Sequence, residues 1–287
     1  MKVFVSTSNF GSKSVPEVFD EIDSHTFQAI EISSGHPWKD RGEEVIARCV
    51  ENYGLSVMFH NHAPPGPDNL FINLSEPDDD ERRKVVDFLK SRIKFTQKLG
   101  SDYYSFHAGY RVPYKIGLRS YESSKRLPAQ ESLKIFIEAT KEVVSYAEQL
   151  GVHVGVENHV VEPGNEENLI LYNVQDYDDL LGAINSDYLH LHLDVGHLKV
   201  TGHTLGLDKT DFIRHLGPTV MATHLHENDG LSDAHGGFKE DFWFLEHLEY
   251  LSNLAYACLE TDKQETSNIN QMRTIIERSF KNIEAKR

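Results

Sequence analysis

Cysteine is scarce: the 287-residue chain has two, Cys49 and Cys258, far apart in sequence and in no metal-ligand spacing. That argues against a disulfide framework and against a thiolate metal site, and makes a reducing compartment the expectation. Positive charge is also short. Against 45 Asp and Glu stand 29 Lys and Arg, a net charge of −16, which disfavours extended contact with nucleic acid or an anionic membrane. No apolar run reaches the length needed to span a bilayer. The chain opens on a strand-like run, Lys2 to Thr7, without basic residues followed by an apolar signal core. A cytoplasmic protein with no membrane partner is therefore expected. No glycine-rich G-x-G-x-x-G follows the first strand, so no nucleotide cofactor is expected. Linkers, low-complexity tracts and short repeats are missing too, and residues 1–287 read as one domain.

What is present is a steady alternation. Short apolar runs at about 2–7, 28–33, 55–61, 102–107, 152–158, 188–194, 220–226 and 255–261 have the length of strands. Between them lie amphipathic stretches. Arg82 to Leu99 carries Val85, Val86, Leu89, Ile93 and Phe95, and Leu133 to Leu150 carries Leu133, Ile137, Val144 and Ala147. Gly100 and Gly151 follow these runs, where a left-handed helix cap is expected. Eight such units without a break in composition predict an α/β protein, a single (β/α)8 TIM barrel. An open doubly wound sheet is the rival and lacks its phosphate-binding loop.

Two connections are long. Ala63 to Asp79 is rich in proline and acid. Gly109 to Pro128 holds Arg111, Lys115, Arg119, Lys125 and Arg126 against Glu122 alone. This basic island is either a solvated loop or, through Arg111, Lys115 and Arg119, a site for an anionic substrate group.

Histidine is abundant, 16 residues, and most fall at the ends of the expected strands. Strands three to eight run into "FHNH", "FHAG", "GVENH", "HLHLDVGH", "THLHEND" and "CLETD". One histidine at a strand end is ordinarily structural. The same ligand types on six strand ends of one barrel mouth, the face where such barrels carry their sites, point to chemistry. Alternation along a strand narrows the choice, since residues two apart share a face. Glu157 groups with Gly155, Asp194 with His192, His224 with His226, and Glu260 with Cys258. The interior then holds Glu157, Asp194, a histidine from strand seven and Glu260. Three converging carboxylates call for a cation, and with one imidazole the set suits Mn²⁺, Zn²⁺, Co²⁺ or Mg²⁺. Around it lie His62, His107, His197, Asp233 and His235, as further metal or substrate ligands or as groups that only orient the others. Trp38, in the loop after strand two, is a candidate wall for a sugar face, with packing as its plainer role.

The order "HNHAP", "FHAG", "VEN", "LDVGH", "HLHEND", "DAH" and "LET" resembles the xylose isomerase-like barrel superfamily over essentially the whole chain. That group contains sugar and sugar-phosphate isomerases and epimerases and the zinc-dependent abasic-site endonucleases. In its epimerase branch one metal is held by Glu, Asp, His and Glu, which implies Glu157, Asp194, His224 and Glu260 here, with His226 as the alternative to His224. In its endonuclease branch three zinc ions use nine ligands, implying His62, His107, Glu157, Asp194, His197, His224, Asp233, His235 and Glu260. Two features depart from the pattern: the loop after His62 is long, and "HGGFKEDFW" stands where a G-x-G is usual. The resemblance implies a divalent-metal-dependent isomerase or epimerase of a sugar or sugar phosphate, with Glu157 and Glu260 as catalytic carboxylates. A multinuclear zinc or manganese phosphoester hydrolase is the alternative.

Overall fold

Apolar runs become parallel strands around one axis, and the amphipathic runs between them become helices outside. The computed structural model describes all residues except 12, 23–26, 34–41, 65–69, 116–119 and 286–287, and the backbone alone of 115, 120 and 284. The strands are β1 (Lys2–Ser6), β2 (Ala29–Ile32), β3 (Ser56–His60), β4 (Tyr103–His107), β5 (Tyr114–Lys115), β6 (Ser120–Tyr121), β7 (His153–Glu157), β8 (Leu189–Asp194), β9 (Val220–Leu225) and β10 (Tyr256–Leu259). Eight of them close in the order β1-β10-β9-β8-β7-β4-β3-β2, every neighbouring pair parallel. The other two, β5 and β6, form an antiparallel ribbon within the long connection after β4. The fold is the expected (β/α)8 barrel.

The helices are α1 (Val15–Glu21), α2 (Gly42–Tyr53), α3 (Asp79–Lys98), α4 (Ala129–Gln149), α5 (Val174–Ile184), α6 (Val195–Leu205), α7 (Lys209–Leu216) and α8 (Thr266–Glu284). Local chemistry sets their limits. Asp78 caps α3, accepting from the amides of Asp80 and Glu81, and acidic residues fill the first turn, where the helix dipole favours them. Gly100 (φ 75°) and Gly151 (φ 68°) adopt the left-handed conformation that lets the chain leave α3 and α4 for the next strand. Two crossovers differ from the even alternation. Both α6 and α7 lie between β8 and β9. Between β9 and β10 the segment is a 3₁₀ helix, Trp243–Tyr250, and the residues before it pair Glu227 with Gly236 in an antiparallel bridge. No helix among the described residues is long and apolar enough to cross a membrane.

Outward strand residues such as Ile30, Phe59, Phe106, Val154, Val156, Leu191 and Leu193 join the helices in the main core. Inward residues change character with height. Near the floor, Phe4, Ala29, Met58, Tyr103, Ala222 and Cys258 form a small apolar plug. Two residues on, the same faces carry Ser6, Glu31, His60, Ser105, His224 and Glu260. Gly155 leaves room for this packing: a Cβ there would fall 1.8 Å from the Tyr103 hydroxyl. The floor is closed by packing, and polar groups collect above it.

Candidate metal centre

Asp194 is the last residue of β8 and the N-cap of α6, its carboxylate accepting from the His197 amide at 2.7 Å. Asn158 ties it to β7. The Asn158 side chain donates to the Asp194 carbonyl (3.0 Å) and accepts from the Asp194 amide (2.8 Å). Strand ends β7 and β8 are thereby locked together, which places Glu157 beside Asp194.

His224 stands between these carboxylates and Glu260. Its Nδ1 lies 3.1 Å from Glu260 Oε2, 3.3 Å from Glu157 Oε1 and 3.7 Å from Asp194 Oδ2. Its Nε2 faces Glu31 Oε2 at 2.9 Å. Glu157 in turn is within 3.1 Å of His60 Nε2, 3.3 Å of His107 Nε2 and 3.3 Å of His197 Nδ1. All but His107 and Glu260 are buried.

A second cluster adjoins the first. Reciprocal backbone hydrogen bonds between Glu227 and Gly236 fold the loop after β9 inward. Asp233 then lies 3.2 Å from His197 Nε2 and 3.1 Å from His235 Nε2. His226 bonds Asp194 (3.0 Å) and stacks on His235 with ring centroids 4.0 Å apart. Gly196 makes room for that ring, since a Cβ there would sit 1.9 Å from His226 Cε1.

Burial pushes the Glu157 carboxyl up to about 7. Burial also opposes charge on Glu260, yet His224 and His235 hold it down at about 2. His197 and His224 are raised well above the usual imidazole value, the carboxylates outweighing burial. His107 goes the other way, lowered to about 3 by burial and by His197.

Among the described residues, three histidines share one peculiarity. His197, His224 and His235 each point both ring nitrogens at oxygen acceptors. A neutral imidazole has only one N–H, so each must be an imidazolium or turn a lone pair toward a cation. His197 and His224 are buried, where an imidazolium is costly. The buried atoms His226 Nδ1 and Asp233 Oδ1 also have no hydrogen-bond partner. An all-nitrogen-and-oxygen donor set with spare capacity fits a divalent cation of hard or borderline character.

Among the described residues, four groups of side chains offer ligand atoms within 4.8 Å of one another. One is the expected quartet of Glu157, Asp194, His224 and Glu260, so that His224 rather than His226 joins these carboxylates. The second comprises His197, His226, Asp233 and His235, the third His60, His107 and Glu157, and the fourth Glu31, His60 and His224. Of the expected residues, His62 is not brought in. Its ring lies near Phe88 and its Nε2 meets the Leu70 carbonyl. The strand ends at His60, and Asn61 turns the chain away with φ 50°. Arg111 donates to the Leu127 carbonyl of its own loop. Lys115 pairs through its backbone with Ser120, its side chain lying outside the described atoms, while Arg119 and Trp38 lie outside the described residues. Sequence reasoning did not single out His60 and Glu31, which stand in these groups. Alternation from Met58 and Ala29 carries the signal for both, and a glutamate inside the apolar run Ala29–Ile32 is itself a signal.

A family model described as a xylose isomerase-like TIM barrel matches residues 19–278. The chain belongs to that family. A probable endonuclease 4 of Aquifex aeolicus (strain VF5) is 24% identical to this xylose isomerase-like barrel over 247 residues, 79% of each chain. The solved structure of a D-tagatose 3-epimerase-like protein superposes with a TM-score of 0.74 at 22% identity, covering 100% of this chain and 99% of its own. The IolI protein, solved with a zinc atom, reaches 0.68 at 14% identity, with 100% and 99% covered.

Proposed function

We propose that this xylose isomerase-like barrel is a divalent-metal-dependent isomerase or epimerase of a sugar or sugar phosphate. One observation carries the reading: Glu157 and Glu260, on strands separated by β8 and β9, flank the same His224 nitrogen at 3.3 and 3.1 Å. The protein thus gathers, at one point of the mouth, the four donors such an ion needs and two carboxylates able to exchange a proton. The D-tagatose 3-epimerase-like neighbour and the zinc-bearing neighbour support it.

Held by Glu157, Asp194, His224 and Glu260, the ion would polarise a carbonyl and its adjacent hydroxyl and so acidify the neighbouring C–H. Glu157 and Glu260 remove and return the proton through their carboxylate oxygens, one from each side of the carbon. Asp194 is held by α6 and Asn158 and acts as a fixed ligand. His107, at the rim, meets substrate hydroxyls. Incubation with ketoses in deuterium oxide tests this: deuterium enters the sugar with the native protein and stops after chelation. No exchange with any ketose, alongside phosphoesterase activity, would sink the reading.

A second reading, a multinuclear phosphoester hydrolase, is favoured by the His197, His226, Asp233 and His235 cluster and by the endonuclease 4 relative. The acidic total disfavours DNA as its substrate. Replacing Asp233 and His235 together by Ala separates the two. Unchanged metal content with at most a raised KM is expected; loss of about one ion with a collapse of kcat supports the hydrolase, whose metals stabilise transition-state charge.

A further inference from the structure

We propose that Glu31 is the positioning residue that sets the metal affinity of this centre by fixing which nitrogen of His224 faces it. The assignment rests on the metal-centre reading above. Glu31 lies on β2, on the inward face with Ala29, and is completely buried. Its Oε2 is 2.9 Å from His224 Nε2 across 193 residues of sequence. A carboxylate can only accept, so the Nε2 proton of His224 is committed to Glu31. That leaves Nδ1, and only Nδ1, facing Glu260, Glu157 and Asp194. The ring cannot easily turn over, because His192 packs on it at a centroid distance of 4.1 Å. His192 is itself held through Nδ1 by the Tyr103 hydroxyl at 3.0 Å. Turned over, His224 would present carbon to Glu31 and leave a buried carboxylate without its partner. An acidic acceptor behind a ligating imidazole orients the ring and makes the other nitrogen a better donor. Here the acceptor comes from a strand on the far side of β1 and β10.

The test uses the full chain labelled with ¹⁵N-histidine, metal-free and loaded with Zn²⁺. The native protein should show a downfield, exchange-protected Nε2–H from His224 in both states. Glu31→Gln, which keeps the shape and removes the charge, should move that proton upfield and weaken Zn²⁺ binding modestly. Glu31→Leu should abolish the protected proton and weaken binding about 10–100-fold, with the number of ions unchanged. Native affinity in both variants, or an unmoved His224 resonance, overturns the assignment. Loss of one whole ion in Glu31→Leu, with the remainder bound as before, also overturns it and makes Glu31 a ligand of its own site. If Glu31→Leu does not fold, Glu31→Gln decides alone. A native protein that takes up neither Zn²⁺ nor Mn²⁺ fails the metal-centre reading; native uptake with unaffected variants fails only the Glu31 assignment.

Discussion

Strand β8 carries His190, His192 and Asp194 on one inward face, at three heights, and the barrel treats His190 on its floor and His235 at its mouth in opposite ways. On the floor, His190 and His153 share one proton between ring nitrogens 2.9 Å apart, with His153 stacked on Tyr188. Burial there lowers His190 to about 4, and His153 adds to it. At the mouth burial also penalises the charged ring, yet Asp233 and Glu260 raise His235 to about 10. The difference lies in the partners rather than in the depth. His190, facing His153, stays neutral and serves packing, whereas His235, facing Asp233 and Glu260, is prepared to be a cation or to hold one.

The largest expected effect comes from breaking the mouth. Glu260→Gln should lower turnover about 10²–10⁴-fold, the range for removing a positioned proton-transfer group, and should reduce metal retention while the fold survives. Kinetics and elemental analysis check this, and full activity with native metal content would remove Glu260 from the site. Next comes the space that admits His226. Gly196→Ala should cost about 1–3 kcal/mol by overpacking, because its Cβ would lie within 2.5 Å of both His226 ring nitrogens. Denaturant unfolding measures it, and native stability would mean that His226 is free to move.

Two smaller effects sharpen the contrast through pH. His190 titrates at about 4 folded, below its ordinary 6.5. The unfolded chain therefore binds more protons in that window, and this group's stabilisation, complete above pH 6.5, is lost as pH falls toward 4. In the metal-free protein His235 is raised to about 10, so its contribution is complete below pH 6.5 and lost as pH rises through 10. His190→Gln should flatten the acid limb of the stability profile, and His235→Gln the alkaline limb. Thermal melts across pH read both, and the same limb flattened by both would erase the distinction between floor and mouth.

Much of the site was legible because alternation along a strand is a local rule. Glu157, Asp194 and Glu260 could be placed on the inward face from neighbouring residues alone, and recurrence at six strand ends marked the mouth. His62 was singled out and His60 was not, for want of one dihedral. Both histidines share a face in an extended strand, and only the left-handed turn at Asn61 ends the strand between them. Glu31 escaped because its partner is 193 residues distant.

The amino-acid sequence by itself determined the eightfold alternation, the caps that end α3 and α4, and the inward carboxylates, since each depends on residues a few positions apart. Which of His224 and His226 falls among Glu157, Asp194 and Glu260 belonged to the tertiary structure. Their parity is identical, and what separates them is height. Height follows from strand stagger, including the register shift beside Leu191 and His192 where β8 meets β9, and from the loop that folds Asp233 and His235 over the mouth. Stagger and loop closure are set by packing around the whole barrel, which no local pattern encodes.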